Sequence, residues 1–505
     1  MEYQTPGVKI ERVSGGSAPI QGVASGNGAF VGLAEKGPVG KAVPTTGFDE
    51  YRSIFGGYDG ALARHVERFF IEAGKGAILN IVRTVHYTDI SDPATKTSAA
   101  ASVILKKDEV DVIKVEAYDG AYANDYKVSV VDASNEKAES FDIIIVKDGT
   151  IVDQFKNLAS DKENFSDSIQ GNNVSLEIIT AVRPDNVVDA EMTGGNNGLI
   201  GISDSDYIGS EAGETGLYAL DVVDEKLNIA IPGIATNAVH IGGIAYAGSR
   251  TGKFFICEAP AGLNHTAAKD YKQAKGDYSA GSALNSAHSA IYYPWYYARN
   301  PITGGRELAS PAAAMVGVYA RVAAARGVHK APAGVVDGRL RTAIGIERII
   351  TDAQQAILNP IGVNVIRSFS DAGIVSWGAR TTSADPEWRY INVRQLFDFI
   401  ELTLLKGTRW AVFEPNDQLL WGKLNISIKA FLMRLYRQGA FFDGGTGNPA
   451  DAFFVKVDAT TNTQSVIDAG QVVIEIGIAP SKPGEFIRVR ISQWDGGRLA
   501  IELAA

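Results

Sequence analysis

The stretch PAAAMVGVYARVAAARG, residues 311–327, decides the fold because it predicts a long Ala-rich helix set among strands. Proline is tolerated in the first turn of a helix, so this helix is predicted to begin near Pro311. Apolar runs typical of buried strands precede it at LNIAIPGI, residues 227–234, and at KFFICEAP, residues 253–260. Strands that alternate with helices in this way predict a mixed α/β core.

The same alternation extends on both sides of that helix. Helices are predicted at LARHVERFFIEAG (62–74), VRQLFDFIELTLLKG (393–407) and NDQLLWGKLNISIKAFLMRLYRQG (416–439). Buried strands are predicted at AILNIVRTV (77–85) and, near the end of the chain, at DAFFVKVD (451–458). At 505 residues the chain is too long for a single ordinary core, so several domains are expected.

Acidity is concentrated in one segment. Residues 88–200 contain 10 Lys+Arg and 21 Asp+Glu, whereas the rest of the chain has 38 against 37. The segment is also rich in alternating strand patterns, which predicts a separate, solvated β-rich domain, and its charge argues against nucleic-acid binding. The N-terminus has no signal-peptide pattern and no apolar run is long enough to span a membrane. The single cysteine, Cys257, is expected to be a small core residue in a protein assembled in a reducing compartment.

Several phrases of the second half resemble the core of contractile-tail sheath proteins, and their order and spacing are similar to those of that family. The N-terminal phrases YQTPGV (3–8) and GFDEYRSIFGG (47–57) also resemble it. The phrases of the second half are AIYYPWYYARNPITGGRELASPAAAMVGVYARVAAARGVHKAPAG (290–334), VSWGARTTSADPEWRYINVRQLFDFIE (375–401), RWAVFEPNDQLLW (409–421), AFFVKVDATTNT (452–463) and GIAPSKPGEFIRVRISQ (477–493).

The resemblance implies a multidomain mixed α/β (α+β) chain with a sheath core, terminal strand arms and an inserted β-rich domain. The implied parts are an N-terminal arm and linker (1–25), the first part of the core (26–87), an outward-facing acidic insertion domain (88–201), the second part of the core with a tube-facing helix (202–484), and a C-terminal strand arm (485–505).

The resemblance also implies a structural subunit without catalytic residues, cofactor or metal. Copies are expected to form stacked six-fold rings, as a helical homopolymer, around the inner tail tube of a bacteriophage. The sheath would contract by subunit rearrangement and drive the tube through the host envelope. Expected partners are the tube protein and the baseplate and tail terminator proteins; neither nucleic acid nor direct membrane insertion is expected. The implied location is the virion tail, assembled in the host cytoplasm.

Both ends of the chain have strand patterns with one apolar face. The N-terminal arm pattern consists of Val8, Lys9, Ile10, Glu11, Arg12 and Val13, and the C-terminal arm pattern of Arg498, Leu499, Ala500, Ile501, Glu502 and Leu503. Such strands could pair within their own subunit, or they could add to sheets of neighbouring subunits, because an exposed strand edge invites pairing. The pattern itself leaves both possibilities open; the family resemblance favours exchange between subunits.

The predicted helix at 416–439 has two contrasting faces. At about 100° per residue, one face carries Trp421, Leu424, Ile428, Phe431 and Leu435. Lys423, Arg434 and Arg437 lie together on the opposite side. These basic residues could form an ordinary solvated face that favours the helix dipole, or, as the resemblance suggests, a contact with an acidic inner tube.

Enzymatic motifs are incomplete in this sequence. AGSRTGKF, residues 247–254, resembles a phosphate-binding loop but has Phe254 where the magnesium-binding hydroxyl belongs. DYSAG has Asp277 where a nucleophile elbow needs glycine, so Ser279 is expected to be an ordinary surface serine. The six histidines have no metal-ligand spacing. An α/β enzyme with a β-rich accessory domain remains the alternative hypothesis, although it would need a polar site that these motifs do not supply. An adhesin, based on the acidic domain alone, is a third hypothesis.

Overall fold

The computed structural model describes residues 20–135, 137, 140–159, 168–486, 494–495 and 498–499. Its helices, in chain order, are α1 (Phe48–Phe55), α2 (Ala61–Ala73), α3 (Asp204–Ile208), α4 (Asn237–Gly248), α5 (His265–Gln273), α6 (Pro311–Arg326), α7 (Gly334–Asp337), α8 (Asp352–Leu358), α9 (Ile391–Gly407), α10 (Gln418–Arg437) and α11 (Gln464–Asp468).

The strands, in the same order, are β1 (Asn27–Gly32), β2 (Ala42–Thr45), β3 (Leu79–Arg83), β4 (Ala100–Lys107), β5 (Val110–Asp119), β6 (Lys127–Asp132), β7 (Ser140–Lys147), β8 (Thr150–Ala159), β9 (Ser168–Gln170), β10 (Val174–Ile178), β11 (Val187–Glu191), β12 (Leu227–Ala230), β13 (Lys253–Glu258), β14 (Ser289–Tyr293), β15 (Tyr296–Arg299), β16 (Arg306–Ala309), β17 (Ala343–Ile346), β18 (Val363–Phe369), β19 (Gly373–Ser376), β20 (Phe453–Lys456), β21 (Glu475–Ile478), β22 (Trp494–Asp495) and β23 (Arg498–Leu499).

A mixed sheet of eight strands organises the core, in the order β19-β18-β14-β13-β12-β1-β3-β2. The six inner strands run parallel, and β2 and β19 pair antiparallel at the two edges. Strands β1, β3, β12, β13 and β14 are buried along their whole length. This explains why their sequences are continuous apolar runs, as parallel strands covered on both faces require.

Helix α6 lies against this sheet and against α2. It begins at Pro311, with the Ser310 side chain accepting a hydrogen bond from the Ala313 N–H, as its sequence predicts. Gly317 permits the close approach of α2, because a Cβ there would lie 2.7 Å from the Glu72 Cβ and 2.8 Å from the Phe69 carbonyl oxygen. Its small residues therefore make α6 a core helix that packs tightly on both sides.

A second apolar cluster covers the other face of the sheet, where α4 and α5 pack and where Cys257 is fully buried. The sheet thus has helices on both faces, and the predicted mixed α/β class is confirmed. The expectation that Cys257 is a core residue is also confirmed.

The acidic segment folds into two antiparallel four-stranded sheets. Their strand orders are β4-β5-β10-β9 and β11-β6-β7-β8, and their facing sides share one apolar cluster. The segment touches the core through Lys36, whose Nζ donates to the Asn173 Oδ1 at 3.0 Å, and through Arg83, whose Nη1 donates to the Asp119 carbonyl oxygen at 2.8 Å. The boundaries of the individual domains stay a prediction.

A further compact unit contains α9, α10 and the two-stranded sheet β20-β21 around its own apolar cluster. The five apolar residues predicted for one face of α10, from Trp421 to Leu435, are all buried in this unit. Ile20, the first described residue, belongs to the same cluster and is 3% exposed. We call this compact unit the C-terminal unit.

Candidate assembly surfaces

The root of the N-terminal arm is held between α9 and α10. The Val23 N–H donates to the Thr403 Oγ1 at 3.3 Å, and the Arg434 guanidinium donates to the Ile20 carbonyl oxygen. Ile20 lies against Gly407, because a Cβ at Gly407 would meet the Ile20 side chain at 2.6 Å. The six predicted arm residues, Val8 to Val13, lie outside the described residues. Their attachment point, however, is fixed on the surface of the C-terminal unit.

The root of the C-terminal arm is an ion pair between Glu485 and Arg380, and Arg380 is held against β18 of the central sheet. Arg380 is buried, and its Nε and Nη2 donate to both carboxylate oxygens of Glu485, with 3.0 Å from Nε to Oε1. Its Nη1 donates to the Asn359 carbonyl oxygen at 3.1 Å, and its main chain exchanges two hydrogen bonds with the side chain of Asn364 on β18. Force applied to the tail at Glu485 would therefore reach the central sheet directly.

Beyond Glu485, the last described residues form a short hairpin. The backbone of Arg498 and Leu499 in β23 pairs antiparallel with Trp494 and Asp495 in β22. The other four residues of the predicted C-terminal arm, Ala500, Ile501, Glu502 and Leu503, lie outside the described residues. The role of this arm between subunits stays a prediction.

The small sheet of the C-terminal unit has an open edge. Strand β21 pairs antiparallel with β20 on one side, from Glu475 opposite Lys456 to Ile478 opposite Phe453. Within the described parts of the chain, no other strand pairs with the second edge of β21. An edge that presents free N–H and C=O groups is a template for another strand.

An apolar groove runs beside this edge, with a volume of about 390 Å³. Its apolar lining comes from Ile474 and Ile476, from Leu404 and Leu405 of α9, and from Ile428 of α10, and its polar lining is Thr251, Glu401 and Thr408. Thr408, which also lines the groove, follows Gly407, the residue that contacts Ile20. The groove and the root of the N-terminal arm therefore both adjoin the C-terminal end of α9.

The outer face of α10 carries only positive charge. The helix contains no Asp or Glu, and its charged residues are Lys423, Lys429, Arg434 and Arg437. Lys429, Arg434 and Arg437 are exposed, and Lys423 is half-buried. In the described structure no carboxylate lies within ion-pair distance of any of the four. Lys429 was not among the residues predicted for this basic face. The absence of Asp and Glu from the whole helix could have indicated it, because every charged residue of α10 is then basic.

A buried polar cluster attaches α9 to the central sheet. Asp398 is fully buried, its Oδ1 accepts a hydrogen bond from the Arg394 Nε at 2.8 Å, and it lies 3.7 Å from the His288 Nδ1. The buried Lys226, just before β12, donates to the Gln395 Oε1. Burial raises the pKa of Asp398 and lowers the pKa of Lys226 to about 8. These charges come from three distant parts of the chain, so the cluster fixes the C-terminal unit to the sheet.

The motif WGARTTSADPEWRY, residues 377–390, predicts stacking of its arginines Arg380 and Arg389 on its tryptophans, and pairing of Arg380 with a nearby acidic residue, but the structure has other contacts. The stacking partner of Trp388 is Arg394, at 4.6 Å from its guanidinium carbon to the ring centroid, rather than Arg380 or Arg389. Trp377 packs against Phe369, with ring centroids 4.8 Å apart. Arg380 pairs with Glu485 rather than with the nearby Asp385 or Glu387.

The residues that were considered for enzymatic chemistry contact the main chain of the fold or lie on its surface. In the segment that resembles a phosphate-binding loop, the buried Lys253 ammonium donates to the carbonyl oxygens of Val223 and Glu225, at 2.7 and 3.0 Å. Ser279 lies on the surface, as expected. Among the described side chains, no three His, Cys, Asp or Glu residues are grouped so as to hold a metal ion. None of the helices in the described part of the chain is long and apolar enough to cross a membrane.

His240 makes the fold sensitive to acid. It is 2% exposed, its Nδ1 lies 2.7 Å from the Tyr271 hydroxyl, and burial lowers its pKa to about 3. Between pH 6.5 and 3, His240 therefore binds a proton in the unfolded chain but not in the folded chain, so its contribution to stability is lost as the pH falls through this range. Burial raises the pKa of the neighbouring Glu258 to about 7, which acts in the opposite direction, so the contribution of His240 is measured as the difference between the native chain and a variant. At pH 5 we expect the free energy of unfolding to be about 2 kcal/mol lower than at pH 7 because of this residue.

Urea unfolding of the unassembled chain at both pH values measures this loss. His240→Phe should reduce it by about 2 kcal/mol, while the Tyr271 hydroxyl keeps its hydrogen bond to the Ala235 carbonyl oxygen at 3.0 Å. An equal loss of stability in the native chain and in the variant would show that His240 is not the responsible group.

The C-terminal unit also has relatives of known identity. Residues 383–493, which include α9, α10, β20 and β21, match the family described as phage tail sheath C-terminal domain. The tail sheath protein of Vibrio phage KVP40 is 30% identical over 160 residues, which cover 31% of this chain and 22% of that protein. The tail sheath protein of Enterobacteria phage T4 is 23% identical over 220 residues, which cover 43% of this chain and 32% of that protein. The chain therefore aligns with less than a third of the length of these relatives.

Solved sheath structures share the fold. The helical sheath of the anti-feeding prophage in its contracted state has a TM-score of 0.59 at 23% identity, covering 97% of this chain and 99% of that one. The sheath tail protein of Listeria innocua has a TM-score of 0.61 at 14% identity, covering 92% and 96%. The resemblance to contractile-tail sheath proteins is confirmed.

Proposed function

We propose that this chain, whose residues 383–493 belong to the phage tail sheath C-terminal domain family, is a structural subunit of a contractile tail sheath. Copies polymerise as stacked six-fold rings around an inner tail tube and contract by subunit rearrangement, driving the tube through the host envelope. The observation that carries this proposal is the C-terminal unit itself. It combines the family match with an open strand edge for neighbouring copies and a wholly basic helix face for a tube.

The two terminal arms link the subunits by strand exchange. In this proposal the residues Val8 to Val13 of one copy add to the free edge of β21 in a neighbour, with Val8 and Ile10 in the apolar groove. Main-chain hydrogen bonds supply the affinity in such strand addition, and the alternate side chains supply the fit. The residues Arg498 to Leu503 form the second link, and the Arg380–Glu485 ion pair anchors it to the donating copy.

Contraction then changes the packing of rigid bodies without separating them. The glycine-rich sequence SGGS at 14–17 follows the N-terminal arm, and the glycine-rich sequence at 194–198 lies at the end of the acidic domain. Two glycines of the second segment, Gly194 and Gly198, have positive φ. Such segments allow rotation of the bodies that they join. The energy is stored in the extended lattice of subunits rather than supplied by a nucleotide, as in other switching assemblies whose packed interfaces have two stable states.

Other partners follow from the same proposal. The sheath contacts a baseplate at one end and a terminator protein at the other, and it belongs to the virion tail, assembled in the host cytoplasm. The acidic domain, residues 88–201, faces outward, because its 21 carboxylates between residues 88 and 200 suit a solvated surface rather than a packed interface.

The basic face of α10 holds the inner tube. A single exposed charge pair contributes about 1 kcal/mol or less to the free energy of binding. Many copies together therefore hold the tube firmly, while each single subunit can release it on contraction. Changing Lys423, Lys429 and Arg437 to Glu is expected to weaken tube binding at least tenfold per subunit without unfolding the chain. Arg434 is left unchanged because it also holds the Ile20 carbonyl oxygen.

Co-sedimentation with purified tubes at increasing salt measures this effect. The native chain should release the tube as screening increases. A matched control reverses Lys41, Lys75 and Lys156, which are exposed elsewhere, and it should bind like the native chain. Equal binding by the two triple variants would refute the assignment of this face to the tube.

A further inference from the structure

An apolar knob projects just before α10. The phenyl ring of Phe413 is completely exposed, at 101%, and Val412 beside it is 62% exposed. Leu419, in the first turn of α10, is 66% exposed. We call Val412, Phe413 and Leu419 the Phe413 knob. A cluster of exposed large apolar side chains on a folded unit marks a surface that another molecule covers.

The backbone at the tip of this knob is strained. Phe413 has a φ of 69°, in the left-handed region that side chains with a Cβ adopt at a steric cost. A residue kept in such a conformation persists only where the surrounding structure determines it, and such residues cluster at functional sites. Glycine would satisfy the backbone at this position better than phenylalanine does, so the folded chain itself gains nothing from the phenyl ring.

The loop that carries the knob is anchored on both sides of its tip. The Asn416 Oδ1 accepts from the Trp421 Nε1 at 2.8 Å, and the Asn416 Nδ2 donates to the Gln471 carbonyl oxygen at 2.8 Å. The Asp417 Oδ1 caps α10 by accepting from the Leu420 N–H at 2.8 Å. On the other side, the Glu414 N–H donates to the Ala411 carbonyl oxygen at 3.2 Å. The phenyl ring is therefore presented by a fixed loop.

The charge on the adjoining helix identifies the partner. Leu419 continues the knob onto the outer face of α10, where Ile426 is 70% exposed and four basic residues have no acidic neighbour on the helix. In the loop itself Glu414 is exposed and Asp417 caps α10, so the positive charge of this surface lies along the helix rather than beside Phe413. A complementary surface is acidic and has an apolar recess opposite the start of α10. This is the surface that the proposed function assigns to the inner tube.

We propose that the Phe413 knob inserts into an apolar recess on an acidic inner tube protein, and so fixes the register of each sheath subunit on the tube. This inference rests on the proposed function. The basic face of α10 supplies attraction that tolerates sliding, because charge pairs are weakly directional, whereas a side chain seated in a recess is specific in position.

The test replaces Phe413 by Gly and measures three properties: co-sedimentation with purified tubes, the urea midpoint of the unassembled chain, and cylinder formation without a tube. Tube binding is expected to weaken at least tenfold per subunit, which corresponds to about 1.4 kcal/mol. The urea midpoint should stay the same or rise, because glycine relieves the strain at a φ of 69°. Cylinder formation without a tube should be unchanged.

A matched control is Phe442→Ala, which removes another exposed phenyl ring, 61% exposed, from the same unit. It should bind the tube like the native chain. Unchanged tube binding by Phe413→Gly overturns the inference, and so does a urea midpoint that falls in parallel with binding, since the ring would then serve the fold. Loss of tube-free cylinders would assign the knob to a neighbouring copy instead. If the native chain does not bind the tube, the proposed function is wrong as well. If the charge variant of α10 loses tube binding but Phe413→Gly keeps it, only the inference about the Phe413 knob is wrong.

Discussion

A chain in which Val8 and Ile10 are both replaced by Asp is expected to stay folded as a free subunit but to lose self-assembly into cylinders. The two side chains share the apolar face of the N-terminal arm, so two carboxylates there cannot enter the groove beside β21. Ile20 is already buried in the C-terminal unit, so the subunit does not need residues 8–13 to complete that core. Sedimentation and the urea midpoint measure assembly and folding separately.

The other face of the arm provides the control. Lys9→Ala with Glu11→Ala changes two residues of the same predicted strand and should still assemble, because the alternation of the sequence puts these residues on its polar face. Assembly by both double variants would contradict the role of the arm. A lower urea midpoint in the Asp variant than in the native chain would show that the arm belongs to the subunit's own fold.

Crosslinking distinguishes exchange between copies from pairing within one copy. The only native cysteine, Cys257, is fully buried, so new cysteines at Lys9 and Glu475 can be joined selectively by a short bis-maleimide. Exchange produces a ladder of covalent multimers, because every copy both donates an arm and receives one. An arm that pairs with its own subunit produces only monomers with an internal crosslink.

The replacement of Asp398 by Ala is expected to lower the free energy of unfolding by about 3 kcal/mol. Removing one partner of a buried ion pair leaves the other charge buried and uncompensated, which costs about 3–5 kcal/mol. The lower end applies because Arg394 keeps a second ion pair, to the Glu401 Oε1 at 2.7 Å. Urea unfolding of the assembly-deficient arm variant, with and without this change, measures the loss.

Glu401 is the matched control for this prediction. Its side chain is 46% exposed, and it pairs with the same arginine. Glu401→Ala should therefore cost less than about 1 kcal/mol, as exposed pairs do. Equal losses for the two variants would mean that the buried cluster does not hold α9 to the sheet.

Local periodicity was sufficient to predict the helices α2, α6, α9 and α10 and the strands β3, β12, β13 and β20. The 3.6-residue spacing from Trp421 to Leu435 identified the buried face of α10, and Pro311 after Ser310 identified the start of α6. These features depend on neighbours in sequence, which is why a single chain reveals them. The apolar face of the N-terminal arm follows from the same kind of pattern, but its partner does not.

Contacts between distant residues could not be predicted in this way. Arg380 has two acidic residues within seven positions, yet it pairs with Glu485, which is 105 positions away. The charges around Asp398 come from the segments before β12 and β14 and from α9, and only the topology of the sheet brings them together. The positive φ of Phe413 has no signal in the residue type, since glycine or asparagine is usual there.

The central claim is that copies of this chain form a sheath, and electron microscopy of the purified intact chain in negative stain tests it most directly. The chain would be imaged alone and after mixing with purified inner tubes. We expect long cylinders with six-fold rings in the sample that contains tubes as template. Closed particles of a few copies in both samples, with the tubes left bare, would contradict the central claim.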